Sequence, residues 1–377
     1  MRIGLDLLYL LPRVVGGTET YAAGLLQGLS QLGTGDEFFV FVNRETSEWK
    51  LPESTSFHRV VCPLRATSRA RRYFYEQVVF PRLARDYRLD VMHGLGYVIP
   101  LSYHHPSVVS ILDIVYDNPG PILRRSVLRY LLSRSARRAS RILTLSLNSK
   151  KQIVSRLGVP PEKIAVTYLA PKIRGTSSGT DWFTLKNRLA IRDSYLLAVS
   201  SSSPHKNIPA LIRAFHDVIR ERREPPQLVL AGHLPAQGTA LRDLVGSLGL
   251  GPHVVFTGYL PDGDLDVLYA HALAFVFPSL YEGFGLPVLE AMSHGTPVAC
   301  SNAASLPEVA GDAAVLFDPR SLPEIQCALR DLLDSADLRA SLARRGYDNV
   351  SRFSWRNTAV ETMRAYRDVV STGRAGR

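Results

Sequence analysis

The sequence predicts an α/β protein of two domains, each a mostly parallel sheet covered by helices on both faces. Three observations carry that prediction. At 377 residues the chain is too long for one ordinary core and fits two domains of roughly 150 to 200 residues. Short apolar runs alternate with helix-period patterns from residue 2 to about 168, and a second such series starts at Tyr195. Between the series, Pro160-Pro161 and then Gly175-Thr-Ser-Ser-Gly-Thr read as a turn and a linker, which puts the boundary near 170 to 190.

In the first series the strand candidates are Ile3-Gly-Leu-Asp, Phe38-Phe-Val-Phe-Val, Val60-Val, Val91-Met-His, Val108-Val-Ser-Ile-Leu, Ile142-Leu-Thr-Leu and Ile164-Ala-Val-Thr. After the first of them comes Val15-Gly16-Gly17-Thr18-Glu19-Thr20, followed by Tyr21, Ala22, Leu25, Leu26 and Leu29 at helical spacing, with Thr18 as the expected N-cap. Gly16 and Gly17 let this loop close over a phosphate or an acceptor, or serve a plain strand-to-helix turn.

Two arginine-rich stretches follow. The first, from Arg65 to Arg88, interleaves Tyr73, Phe74, Tyr75, Val78, Val79 and Phe80. The second, residues 123 to 141, places Leu123, Val127, Leu128, Leu131 and Leu132 near one face with arginines over much of the rest. Such a helix either lies on an anionic bilayer or turns a basic face to solvent. No nucleic-acid-binding motif accompanies the charge, so nucleic acid is not an expected partner.

The second series runs Tyr195-Leu-Leu-Ala-Val, Leu228-Val-Leu-Ala-Gly, Val254-Val-Phe-Thr-Gly, Ala274-Phe-Val-Phe and Val298-Ala-Cys. Ser200-Ser-Ser-Ser-Pro-His-Lys-Asn leads into a helix carrying Ile208, Leu211, Ile212, Phe215 and Ile219, with Lys206 just ahead of it, where an ammonium can neutralise a phosphate. The most informative stretch is Ser279-Leu-Tyr-Glu-Gly-Phe-Gly-Leu-Pro, a strand end, a glycine loop and a helix starting near Leu286. Gly283 and Gly285 let the backbone approach a ligand, Phe284 lies between them, and amides at the helix start suit an anion such as a diphosphate. Glu290, one turn into the helix, is a rigidly held acceptor pair suited to the hydroxyls of a ribose. Glu282, in the loop, suits a sugar hydroxyl or the positive charge developing at an anomeric carbon. The plainer reading is that both acids complement a helix N-terminus. Asp262-Gly-Asp264 and Asp264-Leu-Asp266 have the look of a metal-holding Asp-x-Asp pair, but they stand where a loop enters a helix, so no metal is expected.

Composition narrows the class. Hydrophobic content of 46% with 21% charged residues is that of a soluble globular chain, and no run approaches a membrane span. Asp6 within the first apolar stretch argues for a strand rather than a signal peptide. Cys62, Cys300 and Cys327 suit a reducing cytoplasm and no disulfide framework. The net charge of +11 is lopsided: residues 1 to 180 hold 25 Lys and Arg against 13 Asp and Glu, the remainder 20 against 21. The whole basic excess lies in the first half, so the halves are expected to meet different partners.

The Glu282 to Glu290 segment, Gly16-Gly17, Lys206-Asn207, Gly295-Thr-Pro, Leu306-Pro-Glu308 and Trp355 together resemble the retaining glycosyltransferases of the large family (group 1, family 4) that includes bacterial mannosyl- and glucosyltransferases. The resemblance covers nearly the whole chain. It implies the GT-B fold, two Rossmann-like doubly wound domains facing across a cleft: an acceptor domain at 1–175 completed by a C-terminal helix at 356–377, and a nucleotide-sugar donor domain at 190–355. It implies transfer of a hexose from a nucleotide diphosphate sugar to a glycan or lipid-linked saccharide, in the cytoplasm or at the inner face of the plasma membrane, without metal or other cofactor. By the same resemblance Gly16, Gly17, Lys206, Gly283, Phe284, Gly285, Leu286 and Glu290 bind the donor, while Glu282 and Asp113 are the catalytic candidates. One position departs. Where the family commonly has His-Asp, this chain has Leu112-Asp113, and His93 is the nearest substitute unless it is a core histidine. The departure keeps open a catalytically silent nucleotide-sugar binding protein; separately, an epimerase on the same architecture is a further alternative.

Overall fold

The computed structural model describes residues 1–12, 16–114, 122–172, 180–199, 203–232 and 238–375. Val15, the linker residues 175–179 and Ser200 to Ser202 fall outside them, as do the side chains of Leu123, Arg124 and Arg125. The chain divides into two units, Met1–Ala170 with Ser354–Arg377, and Pro171–Phe353.

The first unit is built on seven strands, β1 (Arg2–Asp6), β2 (Glu37–Val42), β3 (Phe57–Val61), β4 (Val91–Gly94), β5 (Ser107–Ser110), β6 (Arg141–Thr144) and β7 (Ile164–Val166), in the order β3-β2-β1-β4-β5-β6-β7. Every pairing is parallel. β4 and β5 are buried along their whole length, so Val91-Met92 and Val108-Val109 are adjacent apolar pairs rather than alternating ones, and the polar His93, Ser107 and Ser110 are buried with them. Core side chains gather in two clusters, one around Phe41, Phe80 and Met92, the other around Val109, Ile142 and Ile153.

The helix Gly17–Ser30 is capped by Gly16, at φ +55°, rather than by Thr18, which falls inside the first turn. The last helix, Trp355–Ala375, packs on Gly17–Ser30 through two glycines. A Cβ on Gly24 would lie 2.2 Å from the Trp355 ring, and one on Gly28 2.1 Å from the Trp355 carbonyl oxygen. On the helix Ile122–Arg138, Leu131 and Leu132 are buried, but Val127 and Tyr130 are 42% and 59% exposed. Val127 therefore leaves the apolar face expected for it.

The second unit holds β8 (Tyr195–Val199), β9 (Gln227–Ala231), β10 (Val254–Gly258), β11 (Ala274–Phe277), β12 (Val298–Ser301) and β13 (Ala314–Phe317), again all parallel, in the order β10-β9-β8-β11-β12-β13. Helix Ile208–Ile219 lays Ile208, Leu211, Ile212, Phe215 and Val218 onto a core shared with Leu196, Leu230 and Val276. Both sheets grow outward in two directions from a central pair, β1 with β4 and β8 with β11. At such a reversal the loops leaving the carboxyl ends diverge and open a crevice, so these ends are where a ligand is expected in each unit.

Candidate active site

In the second unit, β11 leads at its carboxyl end into residues 278–285, and the turn Pro204–Lys206 follows β8. Two hydrogen bonds seat these turns. The Leu280 N–H donates to the His205 carbonyl at 2.7 Å, and Asn207, at φ +55°, donates from Nδ2 to the Pro319 carbonyl at 2.7 Å. Lys206 is thereby delivered to Glu282: its Nζ donates to Oε1 at 2.6 Å, and the ammonium stands 4.8 Å from the centre of the Phe277 ring. Both partners are largely buried, at 16% and 14% side-chain exposure, so the pair is screened less than a surface bridge. Burial pushes the His205 pKa down against the pull of Glu282, keeping that ring neutral.

The glycine turn is held from beneath. Ser305 Oγ reaches two carbonyls, Glu282 at 3.0 Å and Phe284 at 2.7 Å, and Ser301 Oγ reaches that of Ser279 at 2.5 Å. Gly285 has φ +110°, and a Cβ there would lie 2.4 Å from Leu306 Cδ2, so both conformation and space demand glycine. Leu286 and Pro287 then open the helix Leu286–Ser293. Pro287 supplies no N–H and no side chain caps the helix, so its positive end is left to solvent or a ligand.

Glu290 lies on that helix, partly buried, with Oε2 accepting from the Tyr269 hydroxyl at 3.3 Å. Burial raises its pKa, while the Lys172 ammonium and the Tyr269 hydrogen bond oppose the rise. The Asp-x-Asp acids are engaged in the frame: Asp262 pairs with Lys172 at 2.8 Å, and Asp264 accepts from Arg188 at 2.5 Å and from the Thr180 N–H at 3.0 Å. They secure the start of helix Asp262–His271.

In the first unit, β5 ends at Ser110, three residues before Asp113, so the strict alternation of a strand no longer sets where that carboxylate points. Tyr97, itself at φ +72°, donates its hydroxyl to Asp113 Oδ1 at 2.8 Å. Leu112 is 4% exposed and belongs to the core. His93 is a core histidine too: its Nδ1 meets the Tyr366 hydroxyl at 2.6 Å and its Nε2 the Ser110 hydroxyl at 2.7 Å. Burial drives its pKa down to about 3, so it is neutral and engaged on both sides, and no substitute for the missing imidazole. Gly16 and Gly17 are exposed at the start of their helix, and a Cβ on either meets nothing within 4 Å. Glycine at 16 is required by its positive φ, not by crowding.

One cluster escaped the sequence reading. Asp6, at the carboxyl end of β1, is buried, with Oδ1 accepting from the Leu8 N–H at 3.0 Å. Glu76 is buried beside it, paired with Arg72 at 3.2 Å. Burial, against the pull of Arg72, raises Asp6 to about 6 and Glu76 to about 8. The four-residue spacing of Arg72 and Glu76 was the available sign, though most such pairs lie in solvent.

Two doubly wound units, one carrying a lysine-backed glycine turn at a helix start, define a two-domain Rossmann-like α/β class with a turn suited to an anion. The comparisons make it specific. Residues 184–349 match the model for glycosyl transferases group 1, and residues 15–170 the model for glycosyltransferase family 4. The chain is 34% identical over 289 residues, 75% of both chains, to the O-antigen chain mannosyltransferase B of Escherichia coli. It is 32% identical to the MMP alpha-(1->4)-mannosyltransferase of Mycolicibacterium hassiacum, over 74% of this chain and 67% of that one. Among solved structures, sucrose-phosphate synthase from Thermosynechococcus elongatus superposes with TM-score 0.78 at 18% identity, covering 99% of this chain and 100% of that one. Anabaena Alr3699/HepE in complex with UDP and glucose superposes with TM-score 0.74 at 17% identity, covering 98% and 100%. The chain belongs to the GT-B glycosyltransferases of group 1 and family 4, and it is a glycosyltransferase enzyme.

Proposed function

We propose that this glycosyltransferase moves mannose, with retention and without a metal, from a nucleotide diphosphate sugar to a hydroxyl of a glycan or lipid-linked saccharide in cell-envelope polysaccharide synthesis. The observation that carries the reading is the Lys206–Glu282 pair beside the uncapped start of helix Leu286–Ser293. An ammonium and a helix N-terminus supply fixed positive potential for a leaving diphosphate, the role that a metal plays elsewhere. Asp262 and Asp264 support metal independence by being already held by Lys172, Arg188 and Thr180. Gly283, Phe284, Gly285 and Leu286 form the phosphate turn, Glu290 takes the ribose, and Glu282 lies where the sugar joins the diphosphate. Within the first unit, Gly16 and Gly17 are the donor-binding candidates and Asp113 the catalytic one. Mannose is supported by the relatives that are named mannosyltransferases.

The enzyme works in the cytoplasm, at an anionic membrane surface. Phe74 is 64% exposed among the arginines of helix Arg69–Phe74, and Val127 and Tyr130 are exposed on the arginine-rich helix Ile122–Arg138. Apolar groups set among cations fit an interfacial helix. No helix among the described residues is long and apolar enough to cross a membrane.

A thermal-shift screen of GDP-, UDP- and ADP-sugars tests the donor assignment, since a true donor stabilises the fold by mass action. One nucleotide should raise Tm, and its mannose derivative should support transfer. If no nucleotide sugar shifts Tm at millimolar concentration, the donor reading fails.

A further inference from the structure

The described residues of the first unit carry a cluster of cations at the edge of the sheet opposite to Asp6 and Asp113. Ser107 begins β5 and Arg141 begins β6, so the clefts at Arg138 and Ser140 open at the amino ends of the strands. One, of 220 Å³, is lined by Leu101, Arg134, Arg137 and Arg138. The other, of 330 Å³, shares Arg138 and is lined also by His104, His105, Ser140 and Thr372.

Arg134 and Arg138 stand four residues apart on one helix face, and Arg137 stands three from Arg134. Like charges at this spacing destabilise a helix unless something neutralises them. Among the described residues no carboxylate pairs with any of the three, whereas the neighbouring Arg141 has Asp368 at 3.4 Å. Nor does capping the helix explain all of them, because Lys163 Nζ already donates to the Arg137 carbonyl at 2.6 Å. Arg138 Nη2 donates to the Tyr103 carbonyl at 3.1 Å and meets His104 Nδ1 at 2.9 Å. A guanidinium has only donors, so Nδ1 is the acceptor and the His104 proton sits on Nε2. The exposed ring thus keeps one N–H to donate outward, in the cleft that Arg138 and Ser140 also line, and Arg138 joins this cleft to the one lined by Arg134 and Arg137.

We propose that the C-terminal half of helix Ile122–Arg138 and the His104-His105 turn form a phosphate-binding site. Forked guanidiniums match phosphate oxygens, and several donors converging on one cleft suit a dianion or a phosphodiester better than a single carboxylate. The phosphate is that of a lipid headgroup or a free one. Val127 and Tyr130 continue the same stripe, seven positions before Arg134 and seven before Arg137 respectively, where acyl chains would lie in the first case. The site does not rest on the membrane reading above, since a free phosphate satisfies the same donors.

The test uses the full chain, the double variant Arg134→Glu/Arg137→Glu, and a control with the same charge change on the other unit, Arg220→Glu/Arg223→Glu. Inorganic pyrophosphate is titrated by calorimetry at low salt, each chain in this arm also carrying Lys206→Ala so that the proposed diphosphate site of the second unit does not take up the probe. In parallel, vesicles of phosphatidylglycerol with phosphatidylcholine are co-sedimented against phosphatidylcholine alone. Wild type and control should bind at least one probe, the site variant at least tenfold more weakly, and all three should melt alike. Pyrophosphate binding alone identifies a free phosphate, and anionic-vesicle binding alone identifies a lipid headgroup. Binding undiminished in the site variant, an equal loss in the control, or no binding of either probe by wild type overturns the site. Vesicle binding that survives in the site variant leaves the membrane reading standing without it.

Discussion

Lys206 donates a 2.6 Å hydrogen bond to Glu282, two residues 76 positions apart brought together at the carboxyl ends of β8 and β11. In the free protein this ammonium neutralises a largely buried carboxylate. Under the proposed function, a bound diphosphate would share this ammonium with Glu282.

Lys206→Ala therefore removes a phosphate contact and leaves Glu282 uncompensated, so nucleoside diphosphate affinity should fall at least tenfold, about 1.4 kcal/mol. Lys206→Arg should restore it only partly, because a planar guanidinium does not reproduce a compact ammonium over the Phe277 ring. Calorimetry on the folded variants checks this, and unchanged affinity in Lys206→Ala removes Lys206 from the donor site.

Glu290→Gln keeps shape but not charge, and charge-assisted hydrogen bonds are worth about 1.5 to 3 kcal/mol each. Nucleotide affinity should drop tenfold or more. Because burial raises the Glu290 pKa, its stronger acceptor form fills only as pH rises through that value. Wild-type affinity should thus improve with pH over that range and the variant should stay flat. An equal pH response in both would show that another group sets it.

Asp113→Asn should lower turnover at least tenfold, about 1.4 kcal/mol of transition-state stabilisation, with nucleotide affinity intact. Tyr97→Phe, which removes the hydroxyl donated to Asp113, should give a smaller loss of the same kind. Leu112→His should leave nucleotide affinity alike. Undiminished turnover in Asp113→Asn would take that carboxylate out of the mechanism.

Glu76 gives a pH dependence of stability whose sign follows from its buried state. Its pKa rises on folding from 4.5 to about 8, and that of Asp6 from 3.8 to about 6, so the folded chain holds more protons than the unfolded one between those limits. Stability should fall as pH rises through this window, the opposite of a salt-bridged acid with a depressed value. Glu76→Gln mimics the protonated form and should flatten the fall in Tm between pH 5 and pH 8.5. A variant as steep as wild type would place the effect elsewhere.

Much of this was legible in the chain. Parallel strands covered on both faces read as unbroken apolar runs, so Val108-Val and Ala274-Phe-Val-Phe announced themselves. Gly283-Phe-Gly-Leu-Pro set a helix start locally, because a positive φ at Gly285 and a proline in the first turn are backbone requirements. Local chemistry of this kind needs no partner from elsewhere.

What depends on distant partners came only with the tertiary structure. Lys206 could be read as a phosphate ligand by resemblance, but its bond to Glu282 follows from β8 lying beside β11. His93 was a candidate for the sugar until Tyr366, 273 residues away, and Ser110 took both its nitrogens. In the sequence Asp6 reads only as part of the first strand and Glu76 is not singled out, and burial beside Arg72 raises the pKa of both. Sequence sets backbone preference and hydrophobic period over a few residues, whereas the charge state and engagement of a polar group are decided by what the strand order places against it. In this chain the turns belong to the first kind of information, and the pairing of its acids and histidines to the second.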